Sequence, residues 1–596
     1  MSSRRGLAVA SFAVLLASGC GVSMPHSGPV EQTTTSASPS DDEAVNINPR
    51  RPGAGDSPEE IVRGFLEAMT ATPAIKTSVA REFLTPEAQE SWQPTETIIY
   101  TTMTAVRSGS LVEGIFTAAA RTDARGAWLG PLSEDESTIP FPMEQLENDE
   151  WRISEPPNAL IVPQSWFEQR FQQVSLYFFD TSATLLVPEP VFVPLGRQFA
   201  STLVNGLLAG PSTELADTEL SFLPPQLRSL GGVTVSTSGV AQVDLTSDTA
   251  PADPMPATTE AELLVSQLAW TLRQDPSISR FKVTIGGRQV QLPNGETEFS
   301  VGHGVGHAPY VAGANSSLYG LLDGKLVGGS PQNLQPVTGP FGEPDYGLRA
   351  VATDIRADRV AGVTESGTSL LVAPVAASDE PVLPLISDGA DLLDPAWDFR
   401  DRLWEVDRRP EGSVVQYLQG DRMRVLDVPG ISGADVKAFL VSRDGSRLVA
   451  VLRTDGQNDA IVVSRILTSG NGRVVGALPA VDVTTPDDLD GQIRDIAWRS
   501  PTSIIVLHPM SRSLFQVRSA TVDGAPVGAD GVSITLDQEV LGLVGTPVPE
   551  QSGYALISVP SAGEGSASQM ALVDLAGPRA SSIDIGPGVT SVDYAG

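Results

Sequence analysis

The sequence predicts a multidomain protein in which α+β and α/β domains precede an all-β domain. Its 596 residues exceed the roughly 250–300 that one hydrophobic core can organise, so several domains are expected. Helical spacing of apolar residues is confined to the first half of the chain, whereas short β-rich segments fill the second half. The 56 glycines and 47 prolines favour turn-rich β structure over a mostly helical protein.

The composition also excludes several classes of function. A formal net charge of −33 opposes binding to nucleic acid, because that affinity depends on Lys and Arg neutralising phosphates. A single cysteine excludes a disulfide framework and thiolate-rich metal sites, and four histidines leave few groups for metal or triad chemistry. We therefore expect a protein that is not an enzyme and that holds neither a metal nor a cofactor.

Residues 1–19 are predicted to be an export signal peptide. Arg4 and Arg5 precede an apolar stretch that is shorter than the ~20 residues needed to span a bilayer. General export is favoured, and the two arginines leave twin-arginine export as the alternative route. Residues 20–56 are predicted to be a flexible tether, because this stretch is rich in Ser, Thr, Pro and Gly and has almost no large apolar residues.

The segment Leu16-Ala17-Ser18-Gly19-Cys20 resembles the lipobox of bacterial lipoproteins. Small residues precede the single cysteine, although Leu16 lies one position further from it than that family prefers. The resemblance implies cleavage before Cys20, an S-diacylglycerol on its sulfur and an N-acyl group on the new amino terminus. Two acyl chains give durable membrane attachment. The alternative is an ordinary secretory signal followed by an incidental cysteine.

Residues 57–165 are predicted to form an α+β domain. The sequence Ser57-Pro58-Glu59-Glu60 combines an N-cap serine, a proline at N1 and a glutamate at N3, which marks the start of a helix. Short β-rich stretches follow between positions 97 and 153, which predicts helices packed on one face of a curved antiparallel sheet. This order of elements resembles the cone-like fold of nuclear transport factor 2 relatives and implies an NTF2-like domain.

Residues 170–300 are predicted to form an α/β domain with two strand–strand–helix units and a terminal hairpin. Apolar residues recur at helical spacing in 199–208 and 263–272, and the pair Gly286-Gly287 predicts the hairpin turn. The segments Leu207-Leu208-Ala209-Gly210-Pro211, Val243-Asp244-Leu245, Gln267-Leu268-Ala269-Trp270 and Ile285-Gly286-Gly287 occur in the order typical of GerMN domains. The region resembles that family, which implies an interaction module without known chemistry.

Residues 310–596 are predicted to form a β-propeller. Five segments of similar layout hold short strands separated by turns: 348–375, 392–418, 436–467, 493–517 and 540–575. Their starts recur near the roughly 40–50 residues expected for a four-stranded blade. The fragment 317–326 and the terminal 590–594 are predicted to pair and close the ring.

Several residues that could bear chemistry are interpreted as structural. Trp397 and Trp498 occupy like positions in two blades, and packing between blades is favoured over an aromatic ligand platform. His303 and His307 are four residues apart, but glycines around them disfavour a helix, so no metal site is expected. The segment Asp487-Asp488-Leu489-Asp490-Gly491 lacks the first and last ligands of a calcium loop. The other assignments are surface charges for Glu82, Glu90 and Glu96, a loop cap for Asp244 and a turn for Gly470–Gly476.

The order of lipidated cysteine, tether, α+β domain, GerMN domain and propeller resembles the actinobacterial LpqB lipoprotein family. The resemblance implies a lipid-anchored protein on the extracytoplasmic face of the cell membrane that acts as an accessory regulator of the MtrAB two-component system. It would bind the extracytoplasmic domain of the sensor kinase MtrB and so affect cell-wall homeostasis and division. The alternative is a cell-envelope ligand-binding lipoprotein whose propeller holds a glycan or peptidoglycan fragment. An envelope hydrolase is disfavoured, because the sequence presents no constellation of base, metal and nucleophile.

Overall fold

The computed structural model describes residues 49–70, 76–247, 255–308, 314–343, 346–454, 458–484, 491–528, 531–548, 551–559, 569–576 and 581–596. The predicted signal peptide, Cys20 and the tether up to residue 48 lie outside the described residues, as do Asp487–Asp490. From Asn46 to Gly596 the chain forms one compact unit.

The N-terminal domain begins with a helix whose start is set by its capping residues. This helix, α1, spans Pro58–Met69. The Ser57 N–H donates to Glu60 Oε2 at 2.8 Å and the Glu60 N–H donates to Ser57 Oγ at 3.3 Å, so the predicted capping box is confirmed. One side of the helix is buried in the core of the domain through Ile61, Val62, Phe65, Leu66 and Met69.

Within residues 76–170, which the structure describes, two four-stranded sheets follow α1. The helices are α2 (Lys76–Arg81), α3 (Pro86–Ser91) and α4 (Gln164–Arg170), and the strands are β1 (Glu96–Tyr100), β2 (Thr102–Ser108), β3 (Leu111–Thr117), β4 (Ala120–Thr122), β5 (Trp128–Pro131), β6 (Thr138–Gln145), β7 (Trp151–Ile153) and β8 (Ala159–Pro163). One sheet has the order β5-β4-β1-β8 and the other the order β2-β3-β6-β7.

The prediction of a single antiparallel sheet in this domain is wrong. The chain passes from one sheet to the other at Thr101, between β1 and β2, and β1 pairs with β8 in parallel. A parallel pair needs a long crossover connection, and the whole second sheet lies within that crossover. The domain does combine helices and strands, and its NTF2-like assignment stays a prediction.

Over the described residues 171–247 and 255–300, the middle domain packs two helices against two sheets, and the helices predicted around 199–208 and 263–272 are confirmed. The helices are α5 (Phe199–Leu208) and α6 (Thr258–Leu272), and the strands are β9 (Phe171–Asp180), β10 (Leu186–Pro194), β11 (Glu219–Leu220), β12 (Leu227–Ser229), β13 (Thr234–Val235), β14 (Val240–Ser247), β15 (Arg280–Ile285), β16 (Arg288–Gln289) and β17 (Phe299–Ser300). The smaller sheet has the order β10-β9-β11. The larger sheet has the order β12-β14-β15-β16, with β13 also paired to β14 and β17 to β15.

The connections of the middle domain follow from its sequence pattern. β14 and β15 are parallel, and α6 forms the crossover between them. Gly286 and Gly287 have φ angles of +57° and +80°, which suit glycine and make the predicted turn between β15 and β16. Leu203 and Leu207 of α5 and Leu268 of α6 belong to the same buried cluster, so both helices share one core.

In the part of the C-terminal domain that the structure describes, the strands form six antiparallel sheets. Sheets one to three contain β18 (Leu318–Leu322), β19 (Lys325–Ser330), β20 (Asn333–Pro336), β21 (Leu348–Thr353), β22 (Arg359–Thr364), β23 (Leu370–Pro374), β24 (Leu383–Ile386), β25 (Ala396–Trp397), β26 (Leu403–Arg409), β27 (Gly412–Gln419) and β28 (Arg422–Leu426). Sheets four to six contain β29 (Val436–Val441), β30 (Arg447–Arg453), β31 (Asp459–Thr468), β32 (Val474–Ala477), β33 (Val481–Asp482), β34 (Asp495–Ser500), β35 (Ser503–Pro509), β36 (Phe515–Thr521), β37 (Ser533–Leu536), β38 (Glu539–Val544), β39 (Tyr554–Val559), β40 (Gln569–Asp574) and β41 (Ser582–Pro587).

The first sheet is completed by the last strand, β42 (Val589–Tyr594). β42 pairs antiparallel with β18, from Leu318 opposite Tyr594 to Leu322 opposite Val589, so the predicted pairing of these two segments is confirmed. A buried apolar cluster lies between each sheet and the next, and another joins Val544 of the sixth sheet to Leu318 of the first. The arrangement is propeller-like. Among the described residues, no helix has the length and apolar character that crossing a bilayer requires.

The N-terminal and middle domains meet at β10. The Phe192 N–H donates to the Gly126 carbonyl oxygen at 2.7 Å, and the Phe192 ring lies 6.0 Å from that of Trp128 and 5.0 Å from that of Phe167, measured between centroids. Gly126 has a φ of +89°, and a Cβ at this position would lie 2.1 Å from the Phe192 carbonyl oxygen. Only glycine therefore allows this close approach.

Candidate functional site

The junction between the middle domain and the six-sheet domain is built around four ionisable side chains, of which three are buried and the fourth, Arg465, is partly buried. Glu189 on β10 and Glu219 on β11 come from the smaller sheet of the middle domain, and Arg447 on β30 and Arg465 on β31 come from the fourth sheet. The Glu189 carboxylate lies between both guanidinium groups: Oε1 accepts from Arg447 Nη2 at 3.0 Å and Oε2 accepts from Arg465 Nη2. Arg447 also donates to the Pro188 carbonyl oxygen. These contacts join residues that are 258 and 276 positions apart in sequence.

The pKa values of the two glutamates of the junction are shifted in opposite directions. Burial alone would raise the pKa of Glu189, but Arg465 and Arg447 outweigh it and lower this pKa to about 2. Burial raises the pKa of Glu219 well above its ordinary value, and the negative charge of Glu189 raises it further. Ionisation of Glu219 is therefore opposed both by its burial and by the negative charge of Glu189.

A second group of contacts at the junction is centred on Asp180. Its Oδ1 accepts from the Thr184 and Leu185 N–H groups at 2.9 Å each, and its Oδ2 accepts from Arg400 Nη2 of the third sheet. Burial works to raise the pKa of Asp180, but these hydrogen bonds and one from Ser182 outweigh it and lower the pKa. Asp180 thus acts as an ionised anchor for the six-sheet domain.

A cavity of about 20 Å³ remains between the two domains, bordered by Glu219 and Arg465. Glu219 Oε2 and Arg465 Nη1 have no hydrogen-bond partner among the described residues. A cavity of this size holds a single water, which needs ~10–15 Å³, and no organic ligand. The junction is therefore suited to holding the domains together rather than to binding a substrate.

Three aspartates of the six-sheet domain form a separate acidic group that sequence reasoning missed. Partial burial raises the pKa of Asp495 to about 7, and the negative charge of Asp394 adds to this shift. Asp593 lies at an exposed position of β42, near enough to Asp495 for the two charges to interact. Asp495 Oδ2 accepts from the Leu543 N–H at 2.7 Å, which links the fifth sheet to the sixth. The repeated pattern Asp-x-Ala-Trp at 394–397 and 495–498 could have pointed to two of these residues.

The two tryptophans of that pattern pack between sheets. Trp397 is 1% exposed and donates from Nε1 to the Ala352 carbonyl oxygen of the preceding sheet at 3.0 Å. Trp498 is 7% exposed and donates to the Val441 carbonyl oxygen at 3.1 Å in the same manner. The prediction of packing between blades is confirmed, and neither ring is available as a ligand platform.

The histidine pair is not arranged as a helical metal site. Gly304–His307 is a left-handed glycine followed by a short 3-10 turn, Val305–His307. His307 Nδ1 lies 3.1 Å from the Thr184 carbonyl oxygen, and the ring meets Phe179 edge-on at 5.2 Å. Among the described residues, no group of three His, Cys, Asp or Glu side chains could hold a metal ion.

The prediction that Asp244 caps a loop is wrong. β14 continues to Ser247, so Asp244 lies inside the strand, where Oδ1 accepts from Gln242 Nε2 at 2.7 Å and from Thr284 Oγ1 at 2.5 Å. The surface positions of Glu90 and Glu96 are confirmed, and Glu82 is half-buried, with Arg51 at 3.6 Å. The turn predicted within Gly470–Gly476 is also confirmed, since Gly472 has a φ of +73° between β31 and β32. Cys20 and Asp487–Asp490 lie outside the described residues.

Three family models match this chain. Residues 51–168 match the model described as Lipoprotein LpqB, N-terminal domain, and residues 324–539 match the one described as Lipoprotein LpqB beta-propeller domain. Residues 175–291 match the model described as Sporulation and spore germination, named Germane. The three matched regions correspond to the N-terminal, middle and six-sheet domains of the structure.

Individual relatives extend the similarity over most of the chain. Lipoprotein LpqB of Thermobifida fusca (strain YX) is 26% identical over 592 residues, which covers 89% of this chain and 91% of that protein. Lipoprotein LpqB of Mycobacterium tuberculosis (strain CDC 1551 / Oshkosh) is 27% identical over 498 residues, covering 78% of this chain and 82% of that protein. The first GerMN domain of the sporulation protein GerM from Bacillus subtilis is a solved structure with 22% identity, 22% coverage of this chain, 94% of that chain and a TM-score of 0.18.

Proposed function

Because the chain belongs to the LpqB lipoprotein family, we propose that it is a membrane-anchored extracytoplasmic lipoprotein that regulates the MtrAB two-component system as an accessory protein. It would bind the extracytoplasmic domain of the sensor kinase MtrB and modulate phosphorylation of MtrA, with effects on cell-wall homeostasis and division. The observation that carries the proposal is the match of both LpqB domain models, at residues 51–168 and 324–539.

The anchor in this proposal is Cys20, modified by S-diacylglycerol and an N-acyl group. Support comes from the sequence Leu16-Ala17-Ser18-Gly19-Cys20 after an apolar segment, and from relatives that are named lipoproteins. With a net charge of −33, the protein would be repelled by anionic lipid headgroups, so attachment depends on the acyl chains. Cys20→Ala should move the protein from the membrane fraction to the soluble fraction, whereas Ser18→Ala should leave it bound. Retention of the Cys20→Ala protein would contradict lipidation.

Tethering would make a weak interface with the kinase sufficient. Two proteins held on one membrane meet at an effective concentration that reaches the millimolar range for short flexible linkers. Domains that are joined through buried contacts, such as that of Glu189 with Arg447, present a fixed surface to a partner. They therefore lose little conformational entropy on binding. This supports a role in recognition, and we propose a non-enzymatic mode of action.

The direct test is a kinase assay in vesicles. MtrB and MtrA would be assayed for phosphoryl transfer with the lipidated protein inserted in the same vesicles, and the matched control is the Cys20→Ala protein at equal total concentration. A change in the rate of MtrA phosphorylation is expected with the lipidated form and a much smaller change with the control. Equal rates with and without the lipidated protein would contradict the proposal.

The alternative function, capture of a glycan or peptidoglycan fragment by the propeller, is less well supported. Aromatic side chains commonly provide the stacking faces of such sites, and both tryptophans considered for this role are buried between sheets. A pull-down from membranes distinguishes the two functions: recovery of the kinase ectodomain supports the regulator, and recovery of wall polymer alone supports the alternative.

We also propose that the six sheets form a closed β-propeller and that the N-terminal domain is NTF2-like. The pairing of β42 with β18 and the apolar cluster shared by the first and sixth sheets support ring closure. The order of α1 to α3 before eight strands supports the second assignment. An experimental structure of the mature protein tests both.

A further inference from the structure

The exposed face of the larger sheet in the middle domain forms an open groove of about 520 Å³. It is lined by side chains of β13, β14 and β15 and by Glu298, which directly precedes β17. The opposite face of this sheet is buried, because Ala241, Val243 and Phe281 belong to the core of the domain. The groove is thus held by a rigid element, and its volume lies within the 300–1,000 Å³ typical of ligand sites.

Polar side chains cross the groove in a row. Gln242 on β14 lies opposite Thr234 on β13 and opposite Lys282 on β15, and Arg280 lies two residues before Lys282 on the same strand. Alternate residues of a strand share a face and are ~6.6–6.8 Å apart. An extended peptide laid along the sheet has the same repeat, so its alternate side chains can meet Arg280 and Lys282 in turn.

Arg280 and Lys282 already hold one carboxylate. Arg280 Nη1 lies 3.0 Å from Glu298 Oε1, and Lys282 Nζ lies 3.0 Å from Glu298 Oε2. The hydrogen bond from Lys282 lowers the pKa of Glu298, which keeps it ionised. The spacing of the two cations therefore allows each to contact one oxygen of the same carboxylate. The contacts of Glu298 show the geometry that a carboxylate ligand would adopt.

We propose that Arg280 and Lys282 form a docking site for a carboxylate-bearing extended segment of a partner protein, and that Glu298 fills this site until the partner displaces it. The inference rests on the proposed function, since the partner would be the kinase ectodomain. Charge complementarity supports the proposal. The groove has two cations and one carboxylate, so it is locally positive on a chain whose net charge is −33. At physiological salt the Debye length is ~8 Å, so the distant acidic surface is screened while the groove charges act at contact.

Displacement of Glu298 costs little. The Arg280 side chain is exposed, at 54%, and those of Lys282 and Glu298 are partly exposed, at 35% and 29%. Ion pairs near the surface contribute ~0.2–1 kcal/mol. None of the residues that line the groove is aromatic, so a sugar ring would find no stacking face there. An acidic peptide suits the groove better than a glycan.

The test is fluorescence anisotropy with the detergent-solubilised full-length protein and a labelled peptide of alternating Glu and Thr. Glu298→Gln should bind this peptide about two- to fivefold more tightly than wild type, because the competing carboxylate is gone. Glu298→Gln with Lys282→Ala should lose that gain. Lys325→Ala, which removes a half-exposed cation from β19, and a peptide of alternating Lys and Thr serve as controls.

The outcomes separate this inference from the function on which it rests. Equal binding of the acidic peptide by wild type and Glu298→Gln overturns the docking site, and so does equal binding of the acidic and basic peptides. Binding of a neutral glycan fragment in place of the acidic peptide overturns it as well. If the peptide binds as expected but the purified kinase ectodomain does not bind wild type, the docking site stands and the proposed function fails.

Discussion

The middle domain is held by its two neighbours in physically different ways, and both contacts come from β10. Toward the N-terminal domain the contact is aromatic, with Phe192 between Trp128 and Phe167. Toward the six-sheet domain it is ionic, with Glu189 between Arg447 and Arg465. Residues 189 and 192 differ by an odd number along the strand, so they point to opposite faces of the sheet.

The difference between the two contacts lies in what each requires. The aromatic contact depends on shape and apolar area and is insensitive to protonation. The ionic contact is buried, and its stability depends on the presence of both charges, because an unpartnered charge in this place would be strongly destabilising. The two faces of β10 should therefore respond differently to substitution and to pH.

Removal of Arg447 is expected to have the largest effect. Arg447→Met leaves Glu189 buried with Arg465 as its remaining cation, and breaking a buried pair in this way costs ~3–5 kcal/mol. Urea unfolding followed by tryptophan fluorescence measures the loss. The matched control is Arg453→Met on the same strand, β30, which removes an exposed pair with Asp435 and should cost less than ~1 kcal/mol. Equal losses in both variants would contradict a buried ionic junction.

Truncation of the aromatic contact should have a somewhat smaller effect. Phe192→Ala removes a ring that is 8% exposed, and we expect a loss of about 3 kcal/mol from lost burial and the cavity left behind. The loss should be the same at pH 5 and pH 8. Val106→Ala, at a side chain that is 44% exposed in the N-terminal domain, is the control and should change stability little. A strong pH dependence of the Phe192→Ala effect would show that the two contacts are not independent.

The smallest change is expected in the shape of the pH profile. Burial gives Glu219 a folded pKa above its ordinary value, so its contribution to stability is complete below pH ~4.5 and is lost as pH rises toward the folded pKa. Glu219→Gln cannot ionise, and its stability relative to wild type should therefore increase between pH 5 and pH 8. The exposed Glu96→Gln variant is the control and should reproduce the wild-type profile. Parallel profiles for wild type and Glu219→Gln would show that Glu219 ionises normally.

Elements set by neighbouring residues could be predicted, and contacts between distant residues could not. The capping box at Ser57–Glu60 acts within one helical turn, and the strands of the six sheets follow local alternation and turns. By contrast, no local pattern encodes the parallel pairing of β1 with β8 or the meeting of Glu189 with Arg447. Asp244 was predicted to lie in a loop because Asp is depleted in strands, and its partner Thr284 on β15 is 40 residues away in sequence.

The acidic group of Asp394, Asp495 and Asp593 shows the same limit. The pKa of Asp495 is raised to about 7 because the fold partly removes this carboxyl group from water and brings Asp394 near it. In the sequence alone these residues look like ordinary surface aspartates. The recurrence of Asp-x-Ala-Trp marks their equivalent positions but not their environment.

During folding, β18 cannot complete its pairing until β42 is available. These two strands lie at opposite ends of the domain in sequence, yet they are neighbours in the first sheet. Distant pairings of this kind slow folding, because the intervening chain must be brought together first. A polypeptide that emerges amino terminus first would expose the edge of β18, with its unpaired N–H and C=O groups, until β42 arrives. Release or truncation before β42 would leave that edge free to pair with another chain, which makes this interval prone to aggregation.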